Sequence, residues 1–491
     1  MLDPRTPVVV GVAQLSQRPD DVSDALEPVA LMAEVVRAAG ADAGAPTLPR
    51  HAGVLAVVKG AWSYPNPAAL VAEAVGATSA RTVLTTDGGN TPQMVVDVLS
   101  ERIAAGELDV GIVVGAETIW SRRRMRRDGV EREVTQQPEG TTPDERLGAE
   151  LEMTDDYERS RGLLLPVHVY PLFEAAIRHR RGETVEGHRD RIATLWAGFN
   201  EVAVANPYAW SRAPMTAAEI RDPSPANRMV AFPYTKAMCS NWDLDQAAAL
   251  IVCSAEAAER HGVPRDRWVF VHSGTEADDT ALVSHRRDLG RSPAIAAAWT
   301  ALRDDRGVGI DEIAHLDVYS CFPSAVQAAT EAIGIDESRS LTLTGGLTFA
   351  GGPLNNYVTH AIAAMVGVLR EDTRALGLVT ANGGFLTKHA LGLYSAAPPA
   401  TPFRRLRIEA PDVTHEARES APDHVGPVTV EASTVLHEHD GPVRALFAGL
   451  TASGRRAWGT SEDSETMAAA LKQELCGTSA DIDAAGTLRL V

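Results

Sequence analysis

The chain of 491 residues is short of cysteine, aromatics, long apolar runs and positive charge, and each shortage excludes something. Its four cysteines, Cys239, Cys253, Cys321 and Cys476, form no CxxC pair and no zinc spacing. That argues against a disulfide framework or a structural metal and for a reducing compartment. Aromatic residues are 5% of the chain, which suits close helix-on-sheet packing better than an aromatic binding face. No stretch approaches the roughly 18 uninterrupted apolar residues of a membrane-spanning helix. The start, residues 1–15, has an early acid and a short apolar run, unlike a secretory signal. Basic residues are outnumbered 46 to 65, a formal charge of −19, so polyphosphates and anionic membranes are repelled. These features predict a cytoplasmic protein with neither a nucleic-acid nor a membrane partner.

What is present is a globular composition, 45% hydrophobic, with length for about three domain-sized units. Short Val/Ile-rich runs alternate with helix-period segments, the pattern of βαβ units. Strands are predicted at 8–12, 54–58, 82–86, 110–115 and 247–254, with helices at 27–39, 67–75 and 91–105. A second series repeats the order, with strands at 268–272, 315–318, 376–381 and 390–395 and helices at 292–302, 324–333 and 356–370. The recurrence of this strand and helix order implies an internal duplication. Between them, 120–240 is charged and irregular, with helical patches at 166–179 and 188–204, and a segment of this length suits a cover over a site. Its basic run Arg122-Arg123-Arg124-Met125-Arg126-Arg127 reads as a solvated helix face or partner contact, with phosphate binding as the sharper alternative. A Pro/Ala-rich linker at 397–402 precedes alternating patterns at 428–435, 443–450 and 456–459 and a helix at 464–475, a small antiparallel β-barrel. There, His437-Glu438-His439-Asp440 reads as a turn, since two histidines on one face lack a third metal ligand.

Several segments carry a family resemblance. Thr86-Asp87-Gly88-Gly89-Asn90-Thr91-Pro92-Gln93 is followed by a run from Glu101 to Val110 and by Val114-Gly115-Ala116-Glu117. Asp317-Val318-Tyr319-Ser320-Cys321-Phe322, the glycine-rich run from Gly345 to Leu354, and Ala381-Asn382-Gly383-Gly384 come later. In order and spacing these resemble the thiolase superfamily, closest to sterol-carrier-protein-type thiolase-like proteins of type 1, whose relatives are often labelled acetyl-CoA acetyltransferase. The resemblance implies an α/β thiolase fold of duplicated βαβαβαββ halves, layered α/β/α/β/α. It implies core halves at 1–119 plus 241–260 and at 261–397, an inserted loop domain at 120–240 and an appended OB-like β-barrel at 403–491. It also implies coenzyme A or an acyl-CoA as ligand, no tightly bound cofactor or metal, and a monomer or homodimer.

The same resemblance exposes what is missing. A thiolase takes its acyl group on a cysteine thiolate at a helix N-terminus. That place falls on Gly89, with Asn90 or Thr91 still able to cap the helix and Pro92 suited to its first turn. The family's catalytic histidine falls on Gly352, its second cysteine on Asn382 and its asparagine on Tyr319. Tyr319, with Tyr357 five residues after Gly352 or with His389, becomes the candidate acid/base for an acyl-CoA aldolase or lyase. His360 shares the ambiguity of His389 between packing and chemistry. Cys239 is the candidate relocated nucleophile, whereas Cys321 reads as a small hydrophobe. The remaining pocket candidates are Gly88, Asn90, Ser240, Asn241, Gly351, Gly383 and Gly384. A non-catalytic CoA-thioester-binding or scaffold protein is the reading from another class.

Overall fold

The computed structural model describes residues 2–409 and 417–491, so 410–416, inside the span expected for the appended domain, lie outside the described residues. In chain order the strands are β1 (Pro7–Ser16), β2 (Val54–Val57), β3 (Arg81–Thr85), β4 (Val110–Thr118), β5 (Glu145–Leu147), β6 (Met229–Ala231), β7 (Tyr234–Thr235) and β8 (Asp245–Ser254). They continue with β9 (Val269–Asp278), β10 (Ile313–Asp317), β11 (Leu376–Gly383), β12 (Lys388–Ser395), β13 (Arg404–Ile408), β14 (Gly426–Glu438), β15 (Gly441–Leu450), β16 (Arg456–Ser461), β17 (Ser479–Ile482) and β18 (Leu488–Leu490).

Strands β2 and β8, apolar over Val54–Val57 and over 247–253, are buried along their whole length, as strands covered on both faces must be. In the first half the order is β3–β2–β4–β8–β1, with β2 parallel to β3 and β4, and β8 antiparallel to β4 and β1. The second half repeats this arrangement as β10–β11–β12–β9, parallel then antiparallel twice. The duplication is therefore real at the level of pairing. Only the counterpart of β3 departs from the plan: the stretch before Gly345 makes a main-chain bond from Val318 N to Leu341 O at 2.8 Å and forms no ladder.

Two helices, Thr91–Ala104 and Tyr357–Glu371, lie between the halves and touch strands of both. Outside them, Pro28–Asp42 covers β1, β4 and β8, and Pro293–Arg306 covers β9, β12 and β13, completing the α/β/α/β/α layers. The central position of the Thr91–Ala104 helix explains why its Gln93, Asp97 and Ser100 are buried. Gly274 of β9 gives Asp97 its space, because a Cβ there would overlap the carboxyl group.

Two short strands change the expected outline. β5 pairs in parallel with β3 and covers its outer edge. β13 pairs in parallel with β9, so residues 404–408, expected in the appended domain from 403 onward, belong to the core sheet. The chain beyond forms the antiparallel sheet β16–β15–β14–β17–β18, whose ends meet at a single bridge between Thr460 and Thr487. β6 of the insertion joins β14 at Ala231–Leu436. Fully buried Arg456 of β16 donates to the carbonyls of Val283, Ser284 and Arg286 at 2.9, 3.0 and 2.6 Å while holding Glu431 with two bonds of 2.7 Å. His439 sits in the β14–β15 turn, 97% exposed.

The arginine run forms the helix Ile119–Asp128. Arg123 pairs with Asp243 at 2.6 Å, Arg127 with Asp128 at 2.8 Å, and Arg124 lies 5.3 Å over the Trp120 ring. Among the described residues no helix is long and apolar enough to cross a membrane.

Candidate active site

The loops at the ends of β3, β10 and β11 converge from both halves, and the insertion closes over them. The cavity between them is about 840 Å³ and takes its walls from Gly88, Gly89, Tyr319, Cys321, Gly352, Asn382, Gly383 and Gly384, with Ser240 from the insertion. The duplicated topology thus brings together turns that lie about 300 residues apart in sequence.

At its centre the missing side chain of Gly89 is replaced in space by another residue. A Cβ built on Gly89 would overlap the Tyr319 hydroxyl and the Asn382 carbonyl oxygen. Tyr319 follows β10, its main-chain N–H donating to Thr380 Oγ1 at 2.9 Å, and its ring meets that of Tyr357 edge-on at 5.5 Å. Its hydroxyl makes no hydrogen bond among the described residues. Burial pushes the phenol well above its ordinary value, so at neutral pH it keeps its proton. Position 352 differs, because a Cβ there would meet nothing closer than 3.4 Å.

The Asn382 Nδ2 donates to the Tyr170 hydroxyl at 2.9 Å and approaches Cys321 Sγ at 3.8 Å, while its Oδ1 is buried with no partner among the described residues. Tyr170, on the insertion's Pro166–Arg181 helix, donates to the Gly384 carbonyl at 3.0 Å and stacks on Phe322 at 4.6 Å. Burial pushes the Cys321 thiol up to about 12, which removes it as a thiolate. Ser240 ties the insertion to the core, its N–H and hydroxyl bonding to the Cys321 carbonyl at 3.1 and 3.0 Å.

Several candidates do not reach this cavity. The Tyr357 hydroxyl points away from it, donating to Asp317 Oδ1 at 2.8 Å and sharing a 2.7 Å bond with Thr344 Oγ1, so it packs the central helix. His389 lies behind the wall, 3.3 Å from Ser292 Oγ, and burial holds it neutral by lowering it to about 4. His360 bonds Gln14 Oε1 at 3.0 Å and is lowered to about 3 by burial. Cys239 donates to the Thr235 carbonyl at 3.3 Å and burial raises it to about 12. Gly351, at φ +119, has room for no Cβ beside Gln246. Asn90 does not cap its helix through its side chain: its buried Oδ1 has no partner among the described residues, and the Thr91 hydroxyl instead donates to the Gly88 carbonyl at 2.8 Å.

Cys239 and Asn241 line a second cavity of about 1130 Å³ beside the first, together with Arg123, Arg228 and Lys236. Val167, Ser240 and Trp242 line both cavities, and Trp242 is 59% exposed. The sequence reading missed Tyr170, Trp242 and a polar rim: Lys59 pairs with Asp87 at 2.6 Å, and Asn355 bridges the Gly88 N–H, the Asp87 carboxylate and the Lys59 carbonyl at 3.0, 3.1 and 2.9 Å. It also passed over Lys388, which lines the cavity beside Gly88. The TDGGN stretch itself marked the place of Asp87. The partners of the rim come from other segments and left no local signal.

No protein-family model matches the sequence, and no curated protein matches it. Among solved structures the chain is similar to a monomeric SCP2-thiolase-like protein type 1 from Mycobacterium smegmatis, at 28% identity over 100% of both chains and a TM-score of 0.84. It shares its fold with the Ltp2–ChsH2(DUF35) aldolase, at 18% identity over 80% of this chain and 98% of that one, TM-score 0.60. The same holds for the Acat5 thiolase from Ascaris suum in complex with coenzyme A, at 17% identity over 79% of this chain and 99% of that one, TM-score 0.55. With a duplicated five-layer core and an additional antiparallel domain, the chain has the fold of the thiolase superfamily and is similar along its whole length to an SCP2-thiolase-like protein.

Proposed function

We propose that the protein binds an acyl-CoA and handles its acyl group without thiol chemistry, as an aldolase or lyase that uses Tyr319 as proton donor. The observation that carries this reading is the overlap of the Tyr319 hydroxyl with the space of a side chain at Gly89. The reacting end of the substrate lies in the 840 Å³ cavity, and the pantetheine arm runs past Trp242 into the 1130 Å³ cavity, where Arg228 and Lys236 meet phosphate. In cleavage of a β-hydroxyacyl-CoA, the β-hydroxyl gives its proton to water and the Cα–Cβ bond breaks. An aldehyde leaves, the electron pair forms a thioester enolate that the phenol of Tyr319 protonates at Cα, and the resulting phenolate takes back a proton from water.

A relocated cysteine is disfavoured, because the Cys239 thiol is raised by burial and engaged with Thr235. β5 occupies the β3 edge that a second copy could otherwise extend, which favours the monomer over the homodimer. Calorimetry with coenzyme A, followed by aldehyde detection with a panel of β-hydroxyacyl-CoAs, tests the reading. Binding together with aldehyde release is expected. Binding without turnover across the panel supports a non-catalytic CoA-thioester-binding protein instead, and absence of CoA binding overturns both.

A further inference from the structure

Of the 46 Lys and Arg residues only four are lysines: Lys59, Lys236, Lys388 and Lys472. Three of these four line the two adjoining cavities, although arginine supplies positive charge almost everywhere else. A guanidinium stays protonated, whereas a desolvated lysine can lose its proton and act as a nucleophile. Lysine at a site where this chain otherwise uses arginine therefore selects for an amine.

The three cavity lysines are not alike. Lys59 is engaged in an ion pair with Asp87 at 2.6 Å, and Lys236 is exposed. Lys388 is 4% exposed and makes no ion pair among the described residues, a rare state for a lysine. Its Nζ donates to the main-chain carbonyls of Asp87 and, at 3.2 Å, Ala149. Two acceptors satisfy the two N–H bonds of a neutral amine, while an ammonium would keep a third donor without a partner. Gly88, at φ +151, makes the approach possible, since a Cβ there would come within 3.0 Å of Lys388 Cε and Nζ. Burial lowers the amine below the usual lysine value, against the opposing charges of Asp278, Asp87 and Glu150.

We propose that Lys388 is a nucleophilic amine that condenses with an aldehyde or ketone carbonyl admitted to the cavity, such as the 3-oxo group of a 3-oxoacyl thioester. The inference rests on the reading of this cavity as the site of the reacting acyl group, and adds the class of carbonyl it takes. The Nζ lone pair forms a bond to the carbonyl carbon, and the C=O π pair moves to oxygen. A proton then passes from nitrogen to that oxygen, giving a carbinolamine. Loss of one water leaves a neutral imine.

The test is reductive trapping on the full chain with butanal or acetoacetyl-CoA and sodium borohydride, followed by peptide mapping. The reduced adduct is expected on Lys388, lost in Lys388→Arg and weakened in Gly88→Ala, which crowds the amine. No adduct on Lys388, or labelling no greater than that of exposed Lys472, overturns the proposal, and this wild-type comparison needs no variant to fold. Coenzyme A affinity is measured on the same protein. Lys388 labelled by butanal without CoA binding sustains the amine and overturns the acyl-CoA reading, whereas CoA bound with Lys388 unlabelled overturns the amine alone.

Discussion

A side chain at position 89 and the Tyr319 hydroxyl compete for one volume, so a cysteine restored by Gly89→Cys is expected to give no thiolytic cleavage of acetoacetyl-CoA. It is expected to cost about 1–3 kcal/mol through overpacking, measurable by denaturant unfolding. The buried imidazole of His389 yields a second expectation. Its folded value, about 4, lies below the ordinary value near 6.5, so the unfolded chain binds the extra proton first. Stability is then fully present above about pH 6.5 and declines as pH falls toward 4. A His389→Gln variant is expected to lose less thermal stability over that interval than the wild type, and equal loss would contradict this. Gly89, Tyr319 and Asn382 were legible in the sequence because each stands at a fixed place in a motif. The partnership of Tyr319 with the gap at Gly89 was not, since it joins residues brought together only by the packing of the two halves.

Strand alternation separates His389 from its neighbour Lys388. Successive residues of β12 face opposite sides, so His389 turns toward Ser292 while Lys388 turns toward Gly88. A sequence window contains both but does not say which faces the cavity. β5 and β13 were missed for another reason: at three and five residues they carry too little pattern to be seen, and their place is set by the edges they cover. Strand β16 presents the residue on which docking of the C-terminal sheet turns. Arg456→Ala removes three carbonyl contacts and leaves Glu431 without its partner, and is expected to cost about 3–5 kcal/mol in denaturant unfolding. A cost under about 1 kcal/mol would mean that the sheet is held elsewhere.

At the scale of the molecule, the duplication was readable because strand order and helix length recur along the chain, and pairing directions in the structure repeat for four of the five strands. How the insertion covers the site was not readable. Ser240, Tyr170 and Trp242 act across contacts that no local pattern encodes. With β5 on the edge of β3, sedimentation equilibrium is expected to return the mass of one chain, 52.2 kDa, and a species of twice that mass would show that the covered edge does not prevent pairing.

The central claim is that a tyrosine works where a thiolase uses a cysteine, and the most direct measurement is kcat for aldehyde release from a β-hydroxyacyl-CoA by the wild type and by Tyr319→Phe, with CoA affinity determined on both. The account predicts a fall in kcat of about 10²–10⁴-fold with CoA affinity unchanged. Equal kcat in the two proteins would contradict it.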